Sequence, residues 1–336
     1  MSTSEIETHG AEGGLAVSAG LMGAGSKPFI RATEIWVPTS DRRRLELGAG
    51  LYPDLPGFEA ASRGISFGYD EGLPGKAWAG RCPIVLKNLT SSYFMRGEAA
   101  EAARLTCGVA VPVFAGSFLM AVLVLFCGDD RDHVGALEVW HAPSGSNEMG
   151  LLDGYFGTAE VFEWSARHTK FPKGAGLPGL TWETGLPVVL EDLGRSKRFL
   201  RWESAERVGI NRGVGIPCGT GPDGAYVLTF LSALGTPIAR RFESWVPNAE
   251  GDGLILAGGF CESTGALAQC YEGQAIAPGM GTIGHAWRAG IPAISTELAR
   301  DAPLVAASIA GTALRTMVAM PVIEAGKPRA VAAWYL

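Results

Sequence analysis

The sequence predicts an α+β protein of three homologous units, each an antiparallel sheet of five or six strands flanked by helices. A long internal repeat carries this prediction. The segment Gly72-Leu-Pro-Gly-Lys-Ala-Trp78 recurs as Gly176 to Trp182 and as Gly281 to Trp287, at offsets of 104 and 105 residues. A period of this length exceeds that of solenoid repeats and matches a domain, so each unit is expected to have its own core.

The same offsets relate several other positions to within one residue. They connect three Glu-x-Trp segments, three prolines and three Val-x-x-Pro segments: Glu34 to Trp36, Glu138 to Trp140 and Glu243 to Trp245; Pro83, Pro187 and Pro292; Val109 to Pro112, Val214 to Pro217 and Val318 to Pro321. We therefore divide the chain into a disordered tail at residues 1–14 and units at residues 15–127, 128–232 and 233–336, the third being divergent.

The elements of the first unit follow from its residue pattern. Alternating apolar residues predict a strand hairpin, Gly-Leu-Pro-Gly opens a helix with Pro74 in its first turn, and a run of small residues predicts a second helix. In chain order the predicted elements are strands Ile30 to Val37 and Leu45 to Tyr52, the helix from Gly72, strand Pro83 to Leu86, helix Gly97 to Leu105, and strands Val109 to Val113 and Phe118 to Cys127. The first hairpin recurs at Ala136 to His141 with Met149 to Phe156 and at Phe242 to Val246 with Leu254 to Cys261.

One apolar segment tests this assignment. Gly108 to Gly128 has 21 residues and no charge, which is long enough for a membrane-spanning helix. Its counterparts in the other units contain Asp223 and Glu324 where a hairpin turn is expected. The segment is therefore predicted to form two buried strands.

Composition and charge exclude several classes of protein. Hydrophobic residues make up 47% and charged residues 18% of the chain, so each unit has enough apolar surface to fold. The net charge is −6 and no basic cluster exceeds Arg42-Arg43-Arg44, so neither nucleic acid nor a membrane is expected as a partner.

Six cysteines occur without a C-x-x-C pair, which argues against a zinc site. No metal and no cofactor are expected. The first residues lack the basic and apolar regions of a secretory signal, so the predicted location is the cytoplasm.

The order of motifs resembles a GAF domain, the family of small-molecule sensory modules. The residues that carry the resemblance are Gly72, Leu73, Pro74, Gly75, Trp78, Phe94, Arg96, Gly108 and Pro112 in the first unit, and Gly176, Leu177, Pro178, Gly179, Trp182, Asp192, Phe199, Arg201, Gly213 and Pro217 in the second. The third unit departs from the pattern, with Thr282 and Ile283 for Leu-Pro and Val305 at the position of the arginine. The resemblance implies a six-stranded antiparallel sheet, flanked by helices, with a pocket between one sheet face and the helices around Gly-Leu-Pro-Gly.

The candidate ligand-binding residues are Arg96, Arg201, Tyr52, Tyr155, Phe94, Phe199 and Trp182. No residue is assigned a catalytic role. The arginines either recognise an anion in the pocket or form structural ion pairs, with Asp192 as a candidate partner of Arg201. Equal placement in all three units favours a core role for Trp78, Trp182 and Trp287. A ligand is expected in the first or second unit, and the third is expected to support the fold or an oligomer interface.

The function expected from this resemblance is that of a non-catalytic sensory or regulatory protein in signal transduction. It would bind a small molecule, a protein partner, or both, and a homodimer is compatible with the sequence. A thiol-dependent enzyme similar to free methionine sulfoxide reductase is an alternative, using Cys82 and Cys107 or Cys261 and Cys270. A structural or assembly protein without a ligand is a further alternative.

Overall fold

The computed structural model describes residues 28–128, 134–196, 198–221, 223–233, 237–264 and 267–336. The predicted tail at residues 1–14 lies outside these ranges, and the unit boundaries stay predictions. The described residues form three antiparallel sheets of six, six and five strands, each with helices on one face. The predicted α+β class is confirmed.

Helices and strands follow the same order in the first two units, and the third, in its described residues, lacks one short strand of that order. The first contains β1 (Ile30–Pro38), β2 (Arg44–Leu51), α1 (Pro56–Arg63), β3 (Phe67–Gly68), α2 (Gly72–Gly80), β4 (Ile84–Lys87), α3 (Gly97–Ala102), β5 (Leu105–Ala115) and β6 (Phe118–Gly128). The second contains β7 (Gly135–Pro143), β8 (Glu148–Tyr155), α4 (Glu160–His168), β9 (Lys170–Pro172), α5 (Gly176–Thr184), β10 (Val188–Leu190), α6 (Trp202–Arg207), β11 (Ile210–Gly221) and β12 (Gly224–Ala233). The third contains β13 (Arg241–Pro247), β14 (Leu254–Cys261), α7 (Leu267–Cys270), α8 (Gly281–Ala289), β15 (Ala293–Ser295), α9 (Pro303–Ser308), β16 (Met317–Glu324) and β17 (Lys327–Tyr335).

The sheets share one strand order. It is β3-β2-β1-β6-β5-β4 in the first, the equivalent β9-β8-β7-β12-β11-β10 in the second, and β14-β13-β17-β16-β15 in the third. In place of a third-unit strand equivalent to β3 and β9, the described residues show a single bridge between Leu254 and Ile276.

The apolar segment from Gly108 to Gly128 forms the paired strands β5 and β6, as predicted. No helix in the described ranges is both long and apolar enough to cross a membrane. Two details differ from the prediction. The helix that begins at Gly97 ends at Ala102, and β5 already begins at Leu105. The stretch after the first hairpin contains a further helix, α1, which begins with Pro56 and buries Phe58.

Each sheet is covered on both faces. One face packs against the helices of its own unit, around a fully buried tryptophan: Trp36, Trp140 or Trp245. The opposite faces of all three sheets meet in one shared core. This core draws side chains from every unit, among them Val111, Leu123 and Leu125; Leu137, Val139 and Leu228; and Phe242, Val318 and Trp334.

The contacts between units repeat around a ring. An edge strand of each sheet packs against the second strand of the next unit: β4 against β8, β10 against β14, and β15 against β2. Lys87 in β4 pairs with Asp153 in β8 at 2.9 Å, and the ring closes where the Phe29 N–H donates to the Pro237 carbonyl at 3.2 Å. A head-to-tail contact that returns to its starting unit forms a closed ring, so the three sheets surround a pseudo-threefold axis.

Replacing Trp334 by Ala should destabilise the chain by about 3–5 kcal/mol, because the indole is fully buried in the shared core. Its ring lies 5.6 Å from Phe230 of the second unit and 6.4 Å from Phe242 of the third. Urea unfolding followed by circular dichroism measures the change. Phe118→Ala is the control, since that ring is 61% exposed and its loss should change stability little. Equal effects of the two substitutions would contradict a shared core at Trp334.

Candidate functional site

The first strand of each unit carries one buried carboxylate. Glu34, Glu138 and Glu243 are at most 1% exposed and lie on the helix-facing side of their sheets. Each accepts a hydrogen bond from the indole N–H of the tryptophan two residues later, at 2.8, 2.9 and 3.0 Å. Residues i and i+2 of a strand point to the same face, so the repeated Glu-x-Trp segment builds this contact locally.

In the first two units an arginine neutralises the carboxylate. Arg96 contacts both oxygens of Glu34, at 2.5 and 3.0 Å, and Arg201 contacts both oxygens of Glu138, each at 2.8 Å. Both arginine side chains are 3% exposed. The partner suggested for Arg201 is therefore wrong: Asp192 is on the surface and lies 3.5 Å from Arg195. A buried guanidinium needs a buried carboxylate, which Glu138 supplies.

The third unit neutralises its carboxylate from a different position. Arg241, two residues before Glu243, replaces the alanines of the other units and contacts Glu243 at 3.5 Å. The hydroxyls of Tyr271 and Tyr335 donate to the Glu243 oxygens at 2.8 and 2.5 Å. Burial raises the pKa of the Glu243 carboxyl. Val305, which replaces the arginine in the sequence, is a buried core residue.

The predicted aromatic site residues lie in the cores. Phe94 and Phe199 pack beside Arg96 and Arg201 in the helix-side cores, with each guanidinium carbon within 5.6 Å of the adjacent ring centroid. The Tyr52 hydroxyl donates to Glu34 at 3.0 Å. The ligand roles predicted for these residues stay predictions; their side chains are occupied by contacts within the protein.

Tyr155 lies on the opposite face of its sheet from Tyr52. Its hydroxyl is 2.7 Å from the Thr106 hydroxyl, and its ring is 5.7 Å from Phe29 in the shared core. The residue that packs like Tyr52 is Phe156, whose ring is 6.2 Å from Phe162. A shift of one residue along a strand moves a side chain to the other face, so Tyr52 and Tyr155 are not equivalent.

Trp182, one of the predicted site residues, borders a cavity. Trp78, Trp182 and Trp287 are each partly buried and pack against the helix-side core of their unit, in agreement with the predicted core role. The cavity beside Trp182 has a volume of about 510 Å³ and lies where the β5–β6, β11–β12 and β16–β17 hairpins converge. We call it the axial cavity because all three units line it.

Mostly buried apolar residues, which we call the floor, and charged residues nearer the surface, which we call the rim, line the axial cavity together with Thr181, Thr184 and Thr220. The floor includes the three equivalent prolines of the Val-x-x-Pro segments, Pro112, Pro217 and Pro321, with Val113, Val227, Met320 and Val322. The rim includes the basic residues Arg81, Lys173 and Arg329 and the acidic residues Glu183 and Glu324. Proline has no backbone N–H, so these three positions donate no backbone hydrogen bond to a ligand.

The basic side chains of the rim differ in whether a carboxylate of the protein already pairs with them. Arg329 forms an ion pair with Glu324. Arg81 donates to the Gly116 carbonyl at 2.8 Å and lies 3.9 Å above the centroid of Phe114. Lys173 lies 5.2 Å above the Trp182 ring. Among the described residues, Arg81 and Lys173 pair with no carboxylate, so the rim has positive charge available to a ligand.

A second cleft, also of about 510 Å³, lies in the third unit beside the amino end of α8. Asp301 occupies that end: the Thr282 N–H donates to its carboxylate at 3.0 Å and the Thr282 hydroxyl at 2.6 Å. An acidic side chain of the protein already satisfies the helix terminus where an anion would bind. The expectation that the third unit binds no ligand stays a prediction.

The cysteines occupy different environments. Cys107 and Cys127 face each other across β5 and β6 and are fully buried. Burial raises the pKa of the Cys218 thiol, at the axial cavity, to about 12. Burial also disfavours the Cys261 thiolate, but Ser263 and the Arg241 guanidinium outweigh it and lower its pKa. Within the described ranges, no three His, Cys, Asp or Glu side chains are grouped to hold a metal ion.

Comparison with known proteins gives only distant structural similarity. No protein-family model and no curated protein matches the chain. The solved structures that match include the nlh2 GAF domain of A. aeolicus, at 17% identity and a TM-score of 0.25, covering 30% of this chain and 58% of that one. Another is free methionine-R-sulfoxide reductase of Neisseria meningitidis with its substrate, at 16% identity and a TM-score of 0.23, covering 31% and 53%.

A third match is the Staphylococcus aureus NreA protein mutated in its nitrate binding site, at 15% identity and a TM-score of 0.25, covering 32% and 75%. The chain spans 55 to 65% of the length of the first three matching structures. At these values the similarity carries no argument about activity, ligand or partner.

The buried ion pair of the second unit gives a direct test. Arg201→Ala should cost about 3–5 kcal/mol of stability, because it leaves the Glu138 carboxylate buried without its countercharge. Arg195→Ala is the matched control, since the Arg195 side chain is 92% exposed and its removal should leave stability unchanged. Chemical denaturation of both variants measures the difference. A loss below about 1 kcal/mol for Arg201→Ala, under the range for broken buried pairs, would show that Glu138 does not depend on Arg201.

Proposed function

We propose that this protein is a non-catalytic sensory or regulatory protein that binds a small molecule in the axial cavity. The observation that supports this proposal is the construction of the cavity from equivalent hairpins of all three units. The helix-facing sides of the first two sheets, where the GAF resemblance places a pocket, are packed with core side chains and a buried ion pair. We therefore assign Arg96 and Arg201 a structural role.

The lining favours a ligand with an apolar body and one negative charge. The prolines and aliphatic side chains of the floor suit an apolar group, because burying it removes apolar surface from water. Three basic and two acidic side chains border the rim, and one acid is already paired with Arg329. Lys173 and Arg81 are then the residues that favour an anionic group.

The position of the cavity also supports a regulatory role. A ligand held by all three hairpins stabilises their closed arrangement, since it binds the assembled ring and not the separated units. A protein partner that contacts the ring would then respond to the ligand through a population shift. Cys82, Cys218 and Cys261 are free thiols, which suits a reducing compartment, and we propose the cytoplasm.

One observation favours the thiol-enzyme alternative over a purely structural protein. The lowered pKa of Cys261 increases its thiolate fraction at neutral pH, and thiolate is the nucleophilic form. Cys261 does not line the axial cavity, however, and Cys218, which does, has its pKa raised by burial. The thiol chemistry and the axial cavity are therefore separate features of the chain, and we rank non-catalytic binding first.

Calorimetric titration with octanoate and with octylamine tests the proposed site. Octanoate should bind and octylammonium should not, because the two share an apolar chain and differ in the sign of the charge. Lys173→Glu should weaken octanoate binding by about tenfold or more, equivalent to 1.4 kcal/mol per factor of ten. Lys170→Glu is the matched control, because Lys170 is exposed on β9, the strand that ends one residue before Lys173, and does not line the cavity.

Two results would count against the site. Equal binding of octanoate and octylamine would show that the rim charge does not select the ligand. Unchanged octanoate binding in Lys173→Glu would place any bound molecule elsewhere in the protein.

A further inference from the structure

The helices of the second unit expose an apolar patch. Its members are Val161 and Trp164 on α4, Leu200 two residues before α6, and Trp202 at the start of α6, with 53%, 63%, 54% and 44% of their surfaces exposed. The two helices pack beside each other, so these side chains lie on one side of the unit. We call them the aromatic patch. Exposed tryptophans are characteristic of interaction surfaces, where they contribute a large share of binding energy.

The first unit shows that the fold does not require these residues. Phe162 of α4 is equivalent to buried Phe58 of α1, because each ring packs below the guanidinium of the buried arginine, at 4.5 and 4.8 Å. With Phe162 aligned to Phe58 on α4 and Arg201 aligned to Arg96 before α6, the first unit has small residues at three of the four positions and Met95 at that of Leu200. The small residues are Gly57 for Val161, Ala60 for Trp164 and Gly97 for Trp202. The aromatic patch is therefore a property of the second unit and not of the repeated fold.

The patch is partly preorganised. The Trp164 ring stacks on His168, with centroids 4.2 Å apart, and the His168 Nδ1 lies 2.7 Å from the Trp164 carbonyl. These contacts restrict the rotamer of the most exposed side chain in the patch. A restricted aromatic ring loses less conformational entropy when a partner covers it.

The charges on α6 indicate what kind of partner fits. Glu203 lies in the first turn and Arg207 in the last turn of this short helix, four residues apart and therefore on the same face. Both side chains are exposed, and neither forms an ion pair among the described residues. If a second α6 lies antiparallel to the first, each Glu203 meets the Arg207 of the other copy. The charge pattern is thus complementary to itself about a twofold axis, as an isologous interface requires.

We propose that the aromatic patch is a twofold interface between two copies of this chain, with the α6 helices antiparallel. Trp164 and Trp202 of each copy bury their exposed surfaces against the other, and two Glu203–Arg207 pairs border the apolar centre. The interface lies on the helix-covered side of the second unit, so it leaves the shared core and the ring of three units intact.

Sedimentation velocity of the full chain over a range of concentrations tests this proposal. The native chain should dimerise reversibly, and the double variant Trp164→Ala and Trp202→Ala should be monomeric at the same concentrations. Tyr69→Ala is the matched control: Tyr69 is 63% exposed, like Trp164, but lies in the first unit, and its loss should leave the dimer unchanged. Circular dichroism should show equal helix and strand content in all variants, because the substituted side chains are on the surface.

Charge reversal tests the antiparallel geometry. Glu203→Arg alone and Arg207→Glu alone each place like charges together and should weaken the dimer, whereas the two reversals combined should restore it. A native chain that stays monomeric would overturn the proposal, including the case in which the patch binds a different protein. A dimer that survives the loss of both tryptophans would also overturn it, and a double reversal that fails to restore dimerisation would overturn the antiparallel arrangement.

Discussion

Each of the three sheets has a second apolar face that its own helices do not cover, and the rest of the structure follows from how that face is buried. The Val-x-x-Pro strands and their partners carry aliphatic side chains on both sides, so an isolated unit would expose one of them to water. The other two sheets cover it. Because an edge strand of each unit packs on the second strand of the next, the contact repeats three times and closes on itself. The cavity at one end of the axis results from this closure, since three hairpins that meet around an axis leave a space between them.

The helix-facing cores depend on a different constraint, the neutralisation of one buried glutamate per unit. The first two units place an arginine immediately before the helix α3 or α6, and the third places Arg241 on the same strand as Glu243. The third unit has lost the arginine at the position of Val305 and has gained Arg241. The gain compensates for the loss, because a buried carboxylate without a partner is strongly destabilising. The third unit adds Tyr271 and Tyr335 as donors, which the longer distance from Arg241 to Glu243 makes necessary.

Sequence reasoning predicted the features that the repeat makes visible. The three units, their hairpins and the α+β class follow from motifs that recur at nearly constant offsets, and the structure confirms the class. Helices α1 and α4 were not predicted, although Phe58, Glu59 and Arg63 recur as Phe162, Glu163 and Arg167 at the same offset of 104 residues. The partner of each buried arginine was also missed: Glu34 and Arg96 are 62 residues apart, and local sequence pattern does not identify so distant a pair. The axial cavity could not be predicted without knowing how the units pack. Its three floor prolines, however, are recognisable as equivalent from the sequence.

The shared core makes the three units one cooperative structure, and differential scanning calorimetry of the full chain measures this most directly. If the sheets depend on one another as described, the chain unfolds in a single transition whose calorimetric enthalpy equals its van't Hoff enthalpy. Independent units would instead give separate peaks, or one broad peak with a calorimetric enthalpy about three times the van't Hoff value. Such a result would contradict the shared core.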